Sequence, residues 1–458
     1  MTESLKSITS HPGWSPSSWR QRTALQQARY DSPEALHAAV TRLASMPPLV
    51  TSWEILNLRQ QIAEAQAGKR FLLQGGDCAE VFDECRPEII ANRLKVLLQM
   101  SLVLIHGMQM PVIRIGRFAG QYAKPRSDDL ESRDGLELPS YRGDLVNAPE
   151  FTAEARRPDP DRLLQAYSRS AMTMNFVRAL VDGGFADLHH PEYWDLGWVE
   201  HSPLAERFRS IADAIGDSVR FIETVTGQTP GSIRRVDFFT SHEALHLHYE
   251  QALTREVPRQ WGWFNLSTHF PWIGMRTAAL DGAHLEMFRG IRNPVGVKVG
   301  PGMSPDWLQG LIRTLNPDHE TGRLVLIHRM GAGQIGDRLP ALVRAAKATG
   351  APLLWICDPM HGNTEKTASG IKTRRFSNIQ AELEQAFDIH AACGSRLGGV
   401  HLELTGENVT ECTGGARELG ESDLGRAYKS TVDPRLNYEQ ALELSMLIVN
   451  KHRSLASS

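Results

Sequence analysis

Eight short apolar runs, each bounded by glycine, proline or polar residues, constrain this chain more than anything else in it. They are RFLLQGG (70–76), PVIRIG (111–116), RVDFFT (235–240), GWFNLST (262–268), PVGVKVG (294–300), RLVLIHR (323–329), PLLWIC (352–357) and GGVHLEL (398–404). Their length and β-branched, apolar content read as strands. Between several of them lie segments of helical periodicity, such as 87–107, 304–315 and 339–350. Strand followed by helix, repeated, implies a parallel sheet. Eight such strands fit an α/β fold of the (β/α)8 TIM-barrel type, whose active site is built at the C-terminal ends of the strands.

That architecture can be tested on the polar residues that end each run. They are Asp77 and Cys78, Arg117, His242 and Glu243, His269, Lys298, Arg329, Asp358 and His361, and Glu403. A purely structural pattern would scatter such groups over both ends of the strands, so their collection at one end points to an active site. The seventh run is the sharpest case, because the apolar APLLWIC stops abruptly on DPMHGNT.

Composition narrows the class. With 458 residues, 41% apolar and 22% charged, the chain is that of a folded globular protein. A net charge of -3 and a pI near 6.6 give no general attraction to nucleic acid or to an anionic membrane, so neither is an expected partner. Anion binding must therefore be local. The start MTESLKSITSHPGW has no apolar signal-peptide core, and a cytoplasmic location is expected. Cys78, Cys85, Cys357, Cys393 and Cys412 are scattered and contain no CxxC pair, against both a disulfide framework and a zinc ribbon.

Two stretches exceed a minimal barrel. Residues 1–69 form an N-terminal extension, and residues 140–234 form an insertion between strands 2 and 3, far longer than an ordinary βα connection. The insertion has helical runs at 163–184 and 204–226 around the aromatic, histidine-rich FADLHHPEYWDLGW (185–198). The barrel is then expected over 70–450, with 451–458 as a tail. The additions suit regulation or oligomer contacts, or simply cover the barrel.

Two constellations carry chemistry. Arg117, Lys124, Arg126, Arg276, Lys298 and Arg329 would converge on one mouth, and guanidinium groups there imply a small substrate rich in anionic oxygens. Lys298 and Arg329 lie in or beside apolar runs, where an unpaired charge is costly. The second set is Cys78, His361, Glu403 and Asp433. A thiolate, an imidazole and two carboxylates suit a divalent transition ion better than Mg²⁺ or Ca²⁺, with zinc, manganese, cobalt and iron all open. Spacing does not group these residues; the barrel brings the first three together. Alone, Cys78 reads as a buried small hydrophobe and His361 as a turn residue.

The longer words are recognisable. LLQGGDCAE, RIGRFAGQYAKPRS, YRGDLVNAPEF, TSHEALHLHYE, STHFPWIGMRTAALDGAH, NPVGVKVGP, HRMGAG, CDPMHGNT, GIKTRRF, GGVHLELTGENVTEC and DPRLNYEQALEL, in this order, resemble the type II 3-deoxy-D-arabino-heptulosonate 7-phosphate synthases from about residue 12 to 450. The resemblance implies condensation of phosphoenolpyruvate with erythrose 4-phosphate and water, the first step of the shikimate pathway. It implies that Arg117, Arg276, Lys298 and Arg329 hold phosphoenolpyruvate, and that Lys124 and Ser127 reach erythrose 4-phosphate. Cys78, His361, Glu403 and Asp433 match the family's metal ligands, with Mn²⁺ the first expectation and Co²⁺, Zn²⁺ or Fe²⁺ the alternatives. Lys298 would then move protons beside Arg117, and Glu243 or Glu403 would activate the water. Asp358 would orient a metal ligand.

The chain departs from the family's pattern at Met275, where an acidic residue is expected, and at Val432, where cysteine is expected. The extension and insertion imply a homo-oligomer, dimer or tetramer, inhibited by an aromatic amino acid. The competing readings are a paralogue serving a specialised pathway and a non-catalytic homologue that binds aromatic amino acids.

Overall fold

The protein is described by a computed structural model that covers residues 13–183, 185, 205–226 and 236–456. Its centre is a closed barrel of parallel strands: β1 (Phe71–Gly76), β2 (Val112–Arg117), β3 (Phe239–Glu243), β4 (Phe270–Ile273), β5 (Val295–Val299), β6 (Leu324–His328), β7 (Leu353–Cys357) and β8 (Leu397–Glu403). Each pairs with its sequence neighbours, and β8 closes on β1. The register already positions chemistry, because Gly76 at the end of β1 lies opposite both Arg117 and Glu403.

Side chains alternate across each strand. Leu72, Ile113, Ile115, Phe239, Phe270, Trp272, Val325, Ile327, Leu354 and Ile356 fill the interior, while Phe71, Leu73, Leu324, Leu326 and Trp355 pack outward in the larger core. The floor of the barrel comes from the N-terminal extension. There helix α1 (Pro33–Ser45) is followed by α2 (Ser52–Gln66), which starts with a reciprocal cap between Thr51 and Glu54. Leu58, Ile62 and Ala65 of α2 belong to the same buried cluster as the strand interiors, so α2 plugs the N-terminal end.

Outside the strands, α3 (Pro87–Met108) is long and apolar enough to cross a membrane, but 67% of its apolar window is buried, chiefly against the last helix. A hairpin, Leu130–Arg133 with Leu136–Pro139, precedes the insertion, which contains α4 (Asp161–Asp182) and α5 (Ala205–Thr226). Apart from Phe185, the expected stretch 185–198 lies outside the described residues. The final helix, α6 (Tyr438–Ala456), runs past position 450, so most of the expected tail is helical.

Two strand expectations are corrected. β3 begins at Phe239 rather than at 235, which brings His242 and Glu243 into the strand. GWFNLST is not a barrel strand: Trp263–Asn265 pairs antiparallel with Thr254–Glu256 outside the barrel, and the fourth barrel strand is the following Phe270–Ile273. Pro271 disguises it, since a proline supplies no ladder N–H and argues against a central strand. His269 therefore stands at the opposite end from the mouth, where its Nδ1 accepts the Thr240 N–H at 2.9 Å and its Nε2 lies 3.8 Å from Glu54 on α2.

Candidate active site

At the C-terminal end of the strands a cavity of about 240 Å³ is lined by residues from several loops, including Cys78, Arg117, Lys124, Glu243, Arg276, Lys298, Arg329, His361 and Asp433. The donor atoms of Cys78, His361, Glu403 and Asp433 all lie within 4.8 Å of one another. Cys78 follows β1, His361 follows β7, Glu403 ends β8, and Asp433 sits on the loop before α6. His361 Nε2 is 2.9 Å from Glu403 Oε1, and Cys78 Sγ is 3.6 Å from Asp433 Oδ2.

The abrupt end of the β7 run has a mechanical purpose. Asp358 Oδ1 accepts the N–H groups of Met360 at 3.0 Å and His361 at 3.2 Å, forming a tight turn. Its Oδ2 meets His361 Nδ1 at 2.7 Å and leaves Nε2 facing the other donors. The same oxygen is ion-paired with Lys298. Burial drives the Lys298 ammonium down to about 8, with Asp358 partly offsetting it.

Positive charge surrounds the donor set. Lys124 Nζ lies 2.5 Å from Cys78 Sγ and 2.6 Å from Asp433 Oδ2, and Lys372 Nζ is 3.2 Å from Asp433 Oδ1. Arg374, fully buried, meets Glu403 Oε2 at 2.7 Å. Burial opposes ionisation of Glu403 and Asp433, yet His361 and Arg374 outweigh it at Glu403, and Lys124 at Asp433, so both carboxyls sit well below their usual range. The Cys78 thiol goes the other way, pushed up by burial and by Glu403. A cluster of one soft and three harder donors whose acids are ionised and wrapped in cations suits a divalent transition ion, and binding such an ion is what lowers a buried thiol to thiolate.

Arg117 is held flat across the mouth. Its Nη1 donates to His401 Nε2 at 2.9 Å, its Nη2 to Glu403 Oε1 at 3.2 Å, and its guanidinium stacks 5.3 Å from the Trp272 ring centroid. His401 Nδ1 in turn donates to Gln74 Oε1 at 2.7 Å, which leaves Nε2 as the acceptor. Arg329 donates to the His361 carbonyl, and Arg276 Nη2 donates to Ser127 Oγ at 3.0 Å. Among the described residues no carboxylate pairs with Arg276, which is exposed, or with the half-buried Arg329. Glu243 points to the same mouth; burial raises its carboxyl, Lys298 partly offsets that, and its Oε1 has no hydrogen-bond partner among the described residues.

Other expected site residues face elsewhere. His242 turns outward to Glu250 at 2.8 Å, Arg126 pairs with Glu131 at 2.5 Å, and Asp77 joins a buried ion network with Arg93 and Arg435. That network ties the Cys78 loop to the Asp433 loop through Arg435, which also binds Glu411 at 2.9 Å. Sequence reasoning missed Arg374, Arg435, Glu382 and His401. Glu382, from the helix Phe376–Ala392, accepts the Met330 N–H and the Asn363 amide at 2.7 Å each, and so laces together the loops that carry Arg329 and His361. Only His401 left a signal, since it stands two residues before Glu403 on the same face of β8.

Comparison with known proteins gives the family. The class-II DAHP synthetase family matches over residues 14–449. A Neurospora crassa protein named phospho-2-dehydro-3-deoxyheptonate aldolase is 45% identical over 458 residues, spanning 96% of this chain and 95% of its own. A Streptomyces coelicolor protein of the same name is 47% identical over 435 residues, spanning 95% of this chain and 96% of its own. The protein with this barrel and this charged mouth is thus an enzyme that belongs to the class-II DAHP synthetase family.

Proposed function

We propose that the chain condenses phosphoenolpyruvate with D-erythrose 4-phosphate and water to 3-deoxy-D-arabino-heptulosonate 7-phosphate and phosphate, opening the shikimate pathway, with a divalent transition ion held by Cys78, His361, Glu403 and Asp433. The observation that carries the reading is the pair of guanidinium groups without carboxylate partners, Arg276 and Arg329, flanking Lys298 beside a transition-metal donor set. Two phosphates and one carboxylate require that surplus of positive charge.

Arg117, Arg276, Lys298 and Arg329 neutralise and orient phosphoenolpyruvate, so that its methylene carbon faces the aldehyde. Lys124, beside the donor set, and Ser127, beside Arg276, hold erythrose 4-phosphate. A bound divalent ion supplies Lewis acidity toward a carbonyl oxygen. New carbon–carbon bond formation leaves positive character on the carbon that bears the phosphate; water adds there, and the hemiketal phosphate releases inorganic phosphate. Glu243 is the better candidate for taking the water's proton, because its Oε1 is unengaged while Glu403 is occupied by Arg117, Arg374 and His361. Lys298, with its ammonium near 8, can return a proton at neutral pH.

The test is phosphoenolpyruvate consumption by metal-stripped protein, with and without erythrose 4-phosphate, before and after Mn²⁺, beside Cys78→Ala. Loss that needs both the aldehyde and the ion and disappears in the variant supports the reading; no turnover with any divalent ion moves the non-catalytic homologue forward. A homo-oligomer inhibited by an aromatic amino acid belongs to the same proposal. A cleft of about 790 Å³ at the floor of the barrel has Arg114 and Arg178 for a carboxylate, Glu54 and Asp237 for an ammonium, and Trp53 and Phe238 for a ring. Activity with added Phe, Tyr and Trp, singly and combined, decides it.

A further inference from the structure

The N-terminal segment before α1 lies over the outside of the barrel and is fixed at several points. Trp14 Nε1 donates to the Glu286 carbonyl at 2.8 Å, and its ring sits where a Cβ on Gly290 would be 2.1 Å away. Ser18 Oγ donates to Glu286 Oε1 at 2.7 Å, Ala283 N–H donates to the Thr23 carbonyl at 3.0 Å, and Tyr30 OH meets His246 Nε2 at 2.8 Å. Between these anchors the chain passes the rim of the mouth, where Gln27 binds the Leu245 carbonyl and the Leu247 N–H and Gln26 reaches the loop after β2.

Gln26 Oε1 accepts the Arg126 N–H at 2.8 Å, and its Nε2 donates to the Arg126 carbonyl at 3.0 Å. One amide thus satisfies both backbone groups of Arg126, as a neighbouring strand would. The same Oε1 accepts from Arg142 Nη1 at 3.1 Å, and the Arg142 carbonyl accepts the Lys124 N–H at 2.9 Å. The residue that Gln26 holds lies between Lys124 and Ser127, and Ser127 is the partner of Arg276. Gln26 itself has φ 63, a left-handed conformation that a non-glycine residue keeps only where its surroundings fix it.

We infer that Gln26 is a positioning residue for the acceptor substrate: by holding Arg126 at both backbone groups, it sets the separation of Lys124 and Ser127, the pair that meets the aldehyde phosphate. The inference rests on the proposed assignment of that segment to erythrose 4-phosphate. It gives the N-terminal segment a part in substrate recognition in addition to any contact it makes between subunits. The donor substrate's arginines and Lys298 stand on the strands and their loops; Gln26 touches none of them directly and reaches Arg276 only through Ser127.

The experiment compares wild type, Gln26→Ala and Gln26→Glu by steady-state kinetics in each substrate, and by hydrogen exchange of the amides at 124–127. Gln26→Ala is expected to raise KM for erythrose 4-phosphate about tenfold, equivalent to about 1.4 kcal/mol, with a clearly smaller rise in KM for phosphoenolpyruvate, transmitted through Ser127 and Arg276, and the Arg126 amide exchanging faster. Gln26→Glu keeps the acceptor for the Arg126 N–H and for Arg142 but sets a carboxylate oxygen against the Arg126 carbonyl, so only part of the affinity returns. Ser18→Ala, which loosens the same segment away from the loop, separates general loosening from positioning and leaves KM for erythrose 4-phosphate at the wild-type value. Faster exchange at Arg126 with an unchanged KM for erythrose 4-phosphate, or an equal rise for both substrates, overturns the inference. Absence of turnover in the wild type with both substrates and Mn²⁺ defeats the proposed reaction instead, and the inference with it, whatever the exchange data show.

Discussion

His390 offers a clean measurement of what burying an imidazole costs this fold. It is 1% exposed, its Nδ1 contacts Ser395 Oγ at 3.1 Å, and its Nε2 has no partner among the described residues. The ring lies 5.4 Å from that of Trp355 and 5.5 Å from that of His328, itself held neutral by burial. Burial alone pulls the His390 value from 6.5 down to about 3. Since the folded value lies below the unfolded one, the stability of the neutral form is complete above pH 6.5 and is lost as pH falls below it. At about pH 5 the unfolded chain's imidazole is almost fully protonated and the native one is not, so about 1.5 pH units at about 1.4 kcal/mol each give about 2 kcal/mol.

The assay is urea unfolding of wild type and His390→Gln at about pH 8 and about pH 5, reading both midpoint and slope. Whatever the substitution costs at high pH, the difference between the two proteins should move by about 2 kcal/mol toward the variant on acidification. Taking a difference of differences removes titrating groups that do not interact with His390, including Glu382, which burial raises to about 7 and which shifts stability in the opposite sense over the same range. A gap between the proteins that stays constant with pH would refute the argument, because it would mean that the imidazole titrates alike in both states.

Further outcomes follow from the site and its supports. With its ammonium near 8, Lys298 loses charge just above neutrality, so KM for phosphoenolpyruvate should climb above about pH 8; a flat profile to about pH 9 would remove Lys298 from substrate binding. Asp358→Asn takes the acceptor from His361 Nδ1, and metal affinity, measured by chelator competition, should weaken about 10- to 100-fold. Gly290→Ala drives the Trp14 ring off its seat and should cost about 2 kcal/mol in unfolding experiments, from lost apolar contact and one hydrogen bond. An unchanged thermal midpoint would show that Trp14 contributes nothing there.

Much of the barrel could be read from sequence, because β1, β2 and β5 to β8 are continuous apolar runs whose ends coincide with Cys78, Arg117, Lys298, Arg329, His361 and Glu403. β4 could not, since Pro271 hides it and GWFNLST mimics it more convincingly. The shift at β3 illustrates how a period of two punishes a displaced boundary: Glu243 faces the mouth, whereas its neighbour His242 faces Glu250 on the outside. Pairings over long sequence separations left no local trace. Arg374 neutralising Glu403, Arg435 joining Asp77 to Glu411, and Gln26 reaching Arg126 are all products of packing. Asp433 was in the donor set from the sequence although strand order alone does not bring it to the other three, and in the structure it stands among them.

The floor supplied by α2 bears on how much of this chain can stand alone. A ribosome completes α2 before it makes any barrel strand, so the stopper is synthesised ahead of the vessel it closes. A shortened protein that starts at β1 would present Leu72, Ile113, Phe239 and Val325 around an opening that Leu58 and Ile62 no longer cover. Such a truncation would expose a ring of apolar side chains to water and seek a substitute from another molecule. Modular transplantation of the catalytic barrel therefore has to begin upstream of Thr51.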